Sequence, residues 1–288
     1  MRRSITAAIS ILICASSCTP SPDGIIFRTD DAVYPGAWSK DGNSFFATLN
    51  SGDRWRVIEI DVSSGDKRDV PTGLNGAGVS DVREDLLLLE SNDSGDYDIY
   101  IFNLLNQSLQ RVTRQGSDEW HPSFSNDGRT LIFDSATDAG IDIYSHDLDT
   151  GESKRLTTRA ASEQAGRLSP DGKALAFHRQ TGEGNYDIFQ LNLSANTEAQ
   201  ITTSEADDSY PQWTPDGTQI IFSSNRTGNF DLFVVCVSSG KIVNLTNSGA
   251  DERYPKLSHD GGRIAYQIAE ETGTRIEAIP MTDTLRCD

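Results

Sequence analysis

From Ser209 to Val234 apolar and polar residues follow one another in an order that predicts three short strands. Tyr210 to Thr214 leads in, Pro215-Asp216-Gly217 turns the chain, and Gln219 to Ser223 alternates. A polar Asn-Arg-Thr-Gly-Asn loop follows, and Phe230 to Val235 returns. The Asp-Gly pair marks a hairpin, because glycine accepts the positive φ of a tight turn. The same turn recurs at Asp41-Gly42, Asp127-Gly128, Asp171-Gly172 and Asp260-Gly261, with Glu84-Asp85 as a degenerate copy. Counting Asp85, successive turns lie 44, 42, 44, 45 and 44 residues apart. A period of this length is the mark of a repeat architecture.

Each copy ends in a further short strand: Gln110 to Thr113, Lys154 to Thr157, Gln200 to Thr203 and Val243 to Thr246. The last copy runs out of chain after Arg275 to Ile279, whereas Ile25 to Thr29 has the composition of such a strand and nothing before it to pair with. The two ends therefore complete one sheet. The fold class is all-β: a six-bladed β-propeller of four-stranded blades, closed by the N-terminal strand completing the last blade. Phe133, Phe177, Phe222 and Tyr266 in second strands, with Tyr144, Phe189 and Phe233 in third strands, are expected to pack between blades. The continuous apolar run Leu86 to Leu89 predicts a fully buried strand in the least regular copy.

The repeats HPSFSNDGRTLIFDSATDAGIDIYSHDLDTGESKRLT and YPQWTPDGTQIIFSSNRTGNFDLFVV resemble those of the TolB-like, WD40-like β-propeller family, over roughly residues 25 to 280. The resemblance implies the propeller fold and an interaction role in the bacterial envelope. TolB carries an α/β domain ahead of its propeller. Here the first blade is expected to follow the leader within a few residues, which argues against a direct TolB role and leaves an accessory role in the envelope open. The repeat is also similar to the non-catalytic propeller of dipeptidyl-peptidase-like enzymes.

Ahead of the repeats, Arg2 and Arg3, an apolar run from Ala7 to Cys14 and small residues before Cys18 read as an export signal. Ala15-Ser16-Ser17-Cys18 resembles a lipoprotein processing box, which makes Cys18 the expected lipidation site. Residues 1–17 are thus read as a lipoprotein-type signal peptide, 18–24 as a tether and 25–288 as one propeller. Thr19, not the Asp of an inner-membrane retention signal, implies an outer-membrane lipoprotein facing the periplasm. Cys236 and Cys287 are left as the pair open to a disulfide there. The formal net charge of −18 repels phosphate backbones, so nucleic acid is excluded as a partner and basic proteins or cations are favoured.

Counting back from the turns places Glu119, Glu163, Asp208 and Glu252 at one position, with Trp120, His121, Tyr210 and Tyr254 beside them and Tyr34 in the first blade. Such a ring of carboxylates at the channel mouth would draw in a basic segment, with the aromatics as anchors. It would also suit Ca²⁺, so calcium in the channel stays open, with no other cofactor expected. Asp98, Asp142, Asp187 and Asp231 recur at the start of third strands and read as structural acceptors. His121, His146, His178 and His259 fall at unrelated repeat positions, and no catalytic motif accompanies them. The expected function is a monomeric, non-catalytic protein-binding module of the cell envelope, reached by the membrane through its lipid alone. The alternative is a ligand-binding or catalytic propeller acting on sugar or peptide, with His121 beside Glu119 as an acid–base pair. Replacing Cys18 with Ser is expected to release the protein from membranes; a variant that still sediments with them would refute the lipid as sole tether.

Overall fold

The computed structural model describes residues 24–281 and Cys287, apart from residues 53, 115, 139, 160 and 183. The expected leader and Cys18 lie outside the described residues. All strands of the described residues fall into six antiparallel sheets of four strands each, and no helix occurs among them. The inner strands of blades I to VI are Ala32–Trp38, Gly78–Arg83, Glu119–Phe124, Glu163–Leu168, Asp208–Trp213 and Glu252–Leu257. Each blade then steps outward through a second, third and fourth strand. In blade III these are Thr130–Thr137, Gly140–Asp147 and Ser153–Arg155.

Alternation along the second strands sends neighbouring side chains to opposite blade interfaces. Leu131 and Phe133 join Leu88 and Ile99 between blades II and III, while Ile132 joins Leu175 and Phe177 between III and IV. The aromatics expected in the core stack in pairs: Phe133 on Tyr144, Phe177 on Phe189 and Phe222 on Phe233, with centroids 5.8–6.1 Å apart. Leu87, Leu88 and Leu89 are fully buried, which accounts for the unbroken apolar run of blade II.

At the turns, Asp41, Asp127, Asp171, Asp216 and Asp260 each accept a hydroxyl from the Ser or Thr two residues earlier. The following glycines take φ near 70°. In the degenerate copy Glu84 itself adopts φ 49°, so the left-handed residue moves one place earlier than the acid.

The fourth strands begin and end earlier than the sequence suggests, as Leu109–Arg111, Ser153–Arg155, Thr197–Gln200 and Ile242–Asn244. The cause lies in Thr113, Thr157, Thr202 and Thr246, whose hydroxyls accept the third-strand amides of Ile99, Ile143, Ile188 and Leu232 at 2.9 Å. A threonine spent on this bond turns the chain out of the ladder. Asp98, Asp142, Asp187 and Asp231 are all buried beside these threonines and hold Arg111, Arg155, Gln200 and Asn244, as a structural reading requires.

Ring closure follows the expected route. Ile25–Thr29 pairs with Thr274–Pro280 as the outermost strand of blade VI. Cys236, at the end of the third strand of blade V, is bonded to Cys287 with their Cα atoms 5.5 Å apart, which fastens the C-terminal tail to the preceding blade. Closing a loop of sequence separation 51 removes chain entropy from the unfolded state. Reduction, or Cys236→Ser with Cys287→Ser, is expected to lower the unfolding free energy by about 2–4 kcal/mol. An unchanged denaturant midpoint would show that the bond carries no stability.

Candidate functional site

Every inner strand loses register with its neighbour at one point: between Pro35 and Ala37, Val79 and Asp81, Trp120 and Ser123, Gln164 and Arg167, Ser209 and Gln212, and Arg253 and Lys256. In four blades a non-glycine residue sits there in the left-handed region: His121 (φ 49°), Ala165 (φ 54°), Tyr210 (φ 56°) and Tyr254 (φ 58°). Three of these precede proline, which itself disfavours the right-handed helical region. Such a conformation costs of order 1–3 kcal/mol and persists only where the surroundings enforce it.

For three of the four the enforcement comes from the preceding blade; for Tyr254 the equivalent residue, Ser223, makes no hydrogen bond through its buried hydroxyl among the described residues. Glu90 accepts the His121 amide at 2.9 Å, Asp134 the Ala165 amide at 2.9 Å, and His178 Nδ1 the Tyr210 amide at 3.3 Å. Thr48 accepts the Val79 amide at 2.9 Å, and Gln267 donates to the Val33 carbonyl. Thr48, Glu90, Asp134, His178 and Gln267 occupy one register position of the second strands, opposite Tyr34, Gly78, Trp120, Gln164 and Arg253. Sequence reasoning missed this position, although a polar residue recurring within an apolar strand is its signal. His178 shares this repeat position with Thr48, Glu90, Asp134 and Gln267, and a β-carbon on Gly78 would press on the Glu90 carboxylate at 3.2 Å.

The bulges turn side chains into the channel. Trp55 stacks on Tyr34 (5.5 Å), Tyr34 meets Tyr254 edge-on (6.1 Å), and Tyr254 meets Tyr210 (4.6 Å). Tyr210 also faces His178 and His121 at 5.3 and 5.9 Å. All of these except His178 wall a cavity of about 270 Å³ that also reaches Glu90, Arg167, Gln212 and Lys256. A second cavity of about 310 Å³ continues the channel on the far side, sharing Ser80, Arg167, Gln212 and Lys256 with the first.

His121 Nδ1 lies 2.7 Å from Asp134. Burial alone would depress this imidazole, but the hydrogen bond and charge of Asp134 outweigh it and hold its pKa above the ordinary value. His178 goes the other way: burial first, then the charges of His121 and Arg167, push it down to about 3. The Tyr210 amide can only donate, so His178 Nδ1 must be the unprotonated nitrogen. Burial, aided by Arg167, lowers Lys256 to about 7, against the opposing pull of Asp81 and Glu90.

Of the residues singled out from sequence, His121, Tyr210 and Tyr254 meet in this cavity. Trp120 stands outside it, tilted against Tyr97. The expected carboxylate ring at the mouth is not formed. Glu119, Glu163 and Asp208 are fully buried and Glu252 is 2% exposed. They are fastened within the blades: Glu119 by Ser117, Glu163 by Arg179, Asp208 by two bonds from Arg226, and Glu252 by Ser248. Burial raises the pKa of Glu119, Glu163 and Glu252. Arg179 and Arg226 in turn lie over the stacked Phe177–Phe189 and Phe222–Phe233 pairs. The calcium reading loses its basis with the ring, and among the described residues no three His, Cys, Asp or Glu side chains converge to hold a metal ion. His121 is paired with Asp134 and not with Glu119, which corrects the expected acid–base pair.

The sequence matches the TolB beta propeller domain family over residues 23–183 and 169–284. No curated protein matches it. Among solved structures, a putative TolB from Agrobacterium tumefaciens is 19% identical, with a TM-score of 0.71 over 89% of this chain and 93% of that one. TolB from Acinetobacter baumannii is 20% identical, with a TM-score of 0.65 over 89% and 65%. An oligogalacturonate lyase from Vibrio parahaemolyticus is 10% identical, with a TM-score of 0.57 over 92% and 93%. At these identities the structures share the fold.

The two histidines predict opposite pH behaviour. Unfolded, His178 binds a proton below a pKa of about 6.5; folded, it does so only near 3, so its contribution is present above 6.5 and lost as pH falls toward 3. His121, raised, contributes below about 6.5 and loses that contribution as pH rises through its folded value. In His178→Asn, whose amide oxygen can still accept the Tyr210 bond, stability is expected to fall less steeply between pH 7 and about 4 than in the wild type. By NMR titration, Asp134→Asn should bring His121 below its wild-type pKa. Parallel stability profiles, or an unmoved His121, would refute these assignments.

Proposed function

Because the chain belongs to the TolB beta propeller domain family, we propose that it is a non-catalytic interaction module of the bacterial cell envelope. It binds a protein partner at the aromatic mouth of the channel. The observation that carries this reading is the continuous, solvent-open cup of Trp55, Tyr34, Tyr254 and Tyr210, with Trp55 40% exposed. Rigid aromatic rings at low entropic cost are the usual anchors of protein interfaces. A net charge of −18 favours a partner whose surface around the cup is basic, even though Glu119, Glu163, Asp208 and Glu252 take no direct part. In the same proposal the leader exports the protein and a lipid on Cys18 holds it at the outer membrane, facing the periplasm. The propeller itself is a monomer.

One observation favours a catalytic reading, in which the propeller acts on a sugar or peptide. The His121–Asp134 pair opens onto the same cavity as Lys256 and Arg167, and similar folds include an oligogalacturonate lyase and a puromycin hydrolase. Turnover of oligogalacturonate or a peptide by the purified protein, abolished by His121→Gln, would select it.

The test of the interaction reading is co-purification from detergent-solubilised envelopes. A specific partner is expected on the wild type and on Leu105→Ala, a change at an exposed leucine away from the channel, and to be lost or weakened at least roughly thirtyfold in the Tyr34→Ala, Trp55→Ala variant. Equal retention by all three folded proteins would refute the cup as the binding face.

A further inference from the structure

The first residue to regain register after each bulge is Ala37, Asp81, Ser123, Arg167, Gln212 or Lys256, paired with Phe46, Leu88, Ile132, Ala176, Ile221 and Ala265. These six equivalent positions line the channel at its waist. Their chemistry is lopsided. Blades IV, V and VI contribute Arg167, Gln212 and Lys256 in succession, and these three, with Ser80 of blade II, are shared between the upper and lower cavities.

Apart from the His121–Asp134 pair, the charges around the waist are not spent on one another. Asp81 accepts the amides of Val82 and Phe124, Glu90 that of His121, and Asp134 both the Ala165 amide and His121 Nδ1. The cations are spent on neutral carbonyls instead: Arg167 donates through Nη1 to His121 and Gly166, and Lys256 to Ser80. Among the described residues neither makes an ion pair, and the Gln212 side chain makes no hydrogen bond. Arg167 keeps its Nε and Nη2 donors, and Lys256 two of its three protons. Half-buried in the channel, Arg167 and Lys256 feel the charges of Asp81 and Glu90 but bond to neither, so an anion at this point would add the direct partner the fold withholds.

We propose that the arc Arg167, Gln212 and Lys256 is a carboxylate-binding site, filled by a ligand whose aromatic or apolar body lies in the cup of Tyr34, Trp55, Tyr210 and Tyr254. The planar fork of Arg167 matches a carboxylate in geometry as well as charge. The space of about 270 Å³ suits a single residue or a small acid. The carboxylate therefore comes either from the chain end or acidic side chain of a partner, which rests on the interaction reading above, or from a free organic acid, which does not.

Hippurate, an aromatic acyl group on a glycine carboxylate, tests the site directly, with neutral hippuramide as control. Calorimetry and Trp55 fluorescence on the full chain are expected to show saturable hippurate binding, at least roughly tenfold weaker hippuramide binding, and a similar loss for hippurate in Lys256→Met. Methionine keeps the length of the side chain and removes its charge; Gln212→Leu, which alters no charge, serves as the second variant and should weaken hippurate severalfold. Hippurate and hippuramide binding alike, no hippurate binding at about 20 mM, or undiminished binding by both folded variants would overturn the proposal. If a partner is captured at the cup while hippurate does not bind, this proposal fails and the interaction reading stands. Hippurate binding with no captured partner supports this proposal and sinks the interaction reading. Release of a captured partner by hippurate identifies the partner as the source of the carboxylate, and its retention identifies a free acid.

Discussion

A strained residue in an inner strand, held by a polar side chain from the blade before it, is the link on which this propeller depends. The bulge alone would be unfavourable, and the acceptor alone would be a buried polar group with nothing to bind. Together each justifies the other: the amide of His121 needs Glu90, that of Ala165 needs Asp134, and that of Tyr210 needs His178. Because each bond crosses from one blade to the next, the ring is tied at its centre by directional contacts, while apolar clusters fill each interface farther out. The geometry of the channel follows. Aromatic side chains at or beside the bulge face the mouth, and the residue that regains register faces the waist.

Part of the acidity of the chain is absorbed by the same economy. An isolated carboxylate is expensive to bury, yet buried carboxylates recur here because the fold offers them amides, hydroxyls and guanidinium groups at fixed positions. Asp208 takes both arms of its bond from Arg226, and Arg226 is in turn braced against two phenylalanines. A charge embedded in such a network projects little field into the channel. The cations of the waist, bonded only to carbonyl oxygens, project more. Net charge therefore describes the outside of this molecule and misdescribes its centre.

This difference sets what was legible in the sequence. Blade number, ring closure and the paired core aromatics were open to reading because one turn chemistry, Asp-Gly, repeats at nearly constant spacing and because strand alternation is local. His121, Tyr210 and Tyr254 were found because each lies close to a conspicuous acid and directly before a proline. The role of that acid was misread: position in the repeat says which residues are equivalent, but not whether they face the channel or the space between blades. A bulge shifts that assignment by one residue, and nothing in Glu119-Trp120-His121 announces where the register breaks. Asp134 and His178, the partners that complete the site, lay in second strands already assigned wholly to the core.

A repeat fold makes geometry common to all blades and leaves chemistry free to differ at each. Where one residue type recurs, as with the threonines that close the fourth strands, the position serves the fold. Where equivalent positions diverge, as at Thr48, Glu90, Asp134, His178 and Gln267, the shared demand is only for a group that bonds to the next bulge, and any surplus is available for something else. Asp134 uses its surplus to raise His121, while His178 stays neutral in order to accept its amide. At the waist, alanine, aspartate and serine in blades I to III give way to arginine, glutamine and lysine in IV to VI, and Arg167 and Lys256 satisfy only backbone carbonyls there. That asymmetry, on an otherwise sixfold frame, is what the proposed carboxylate site rests on.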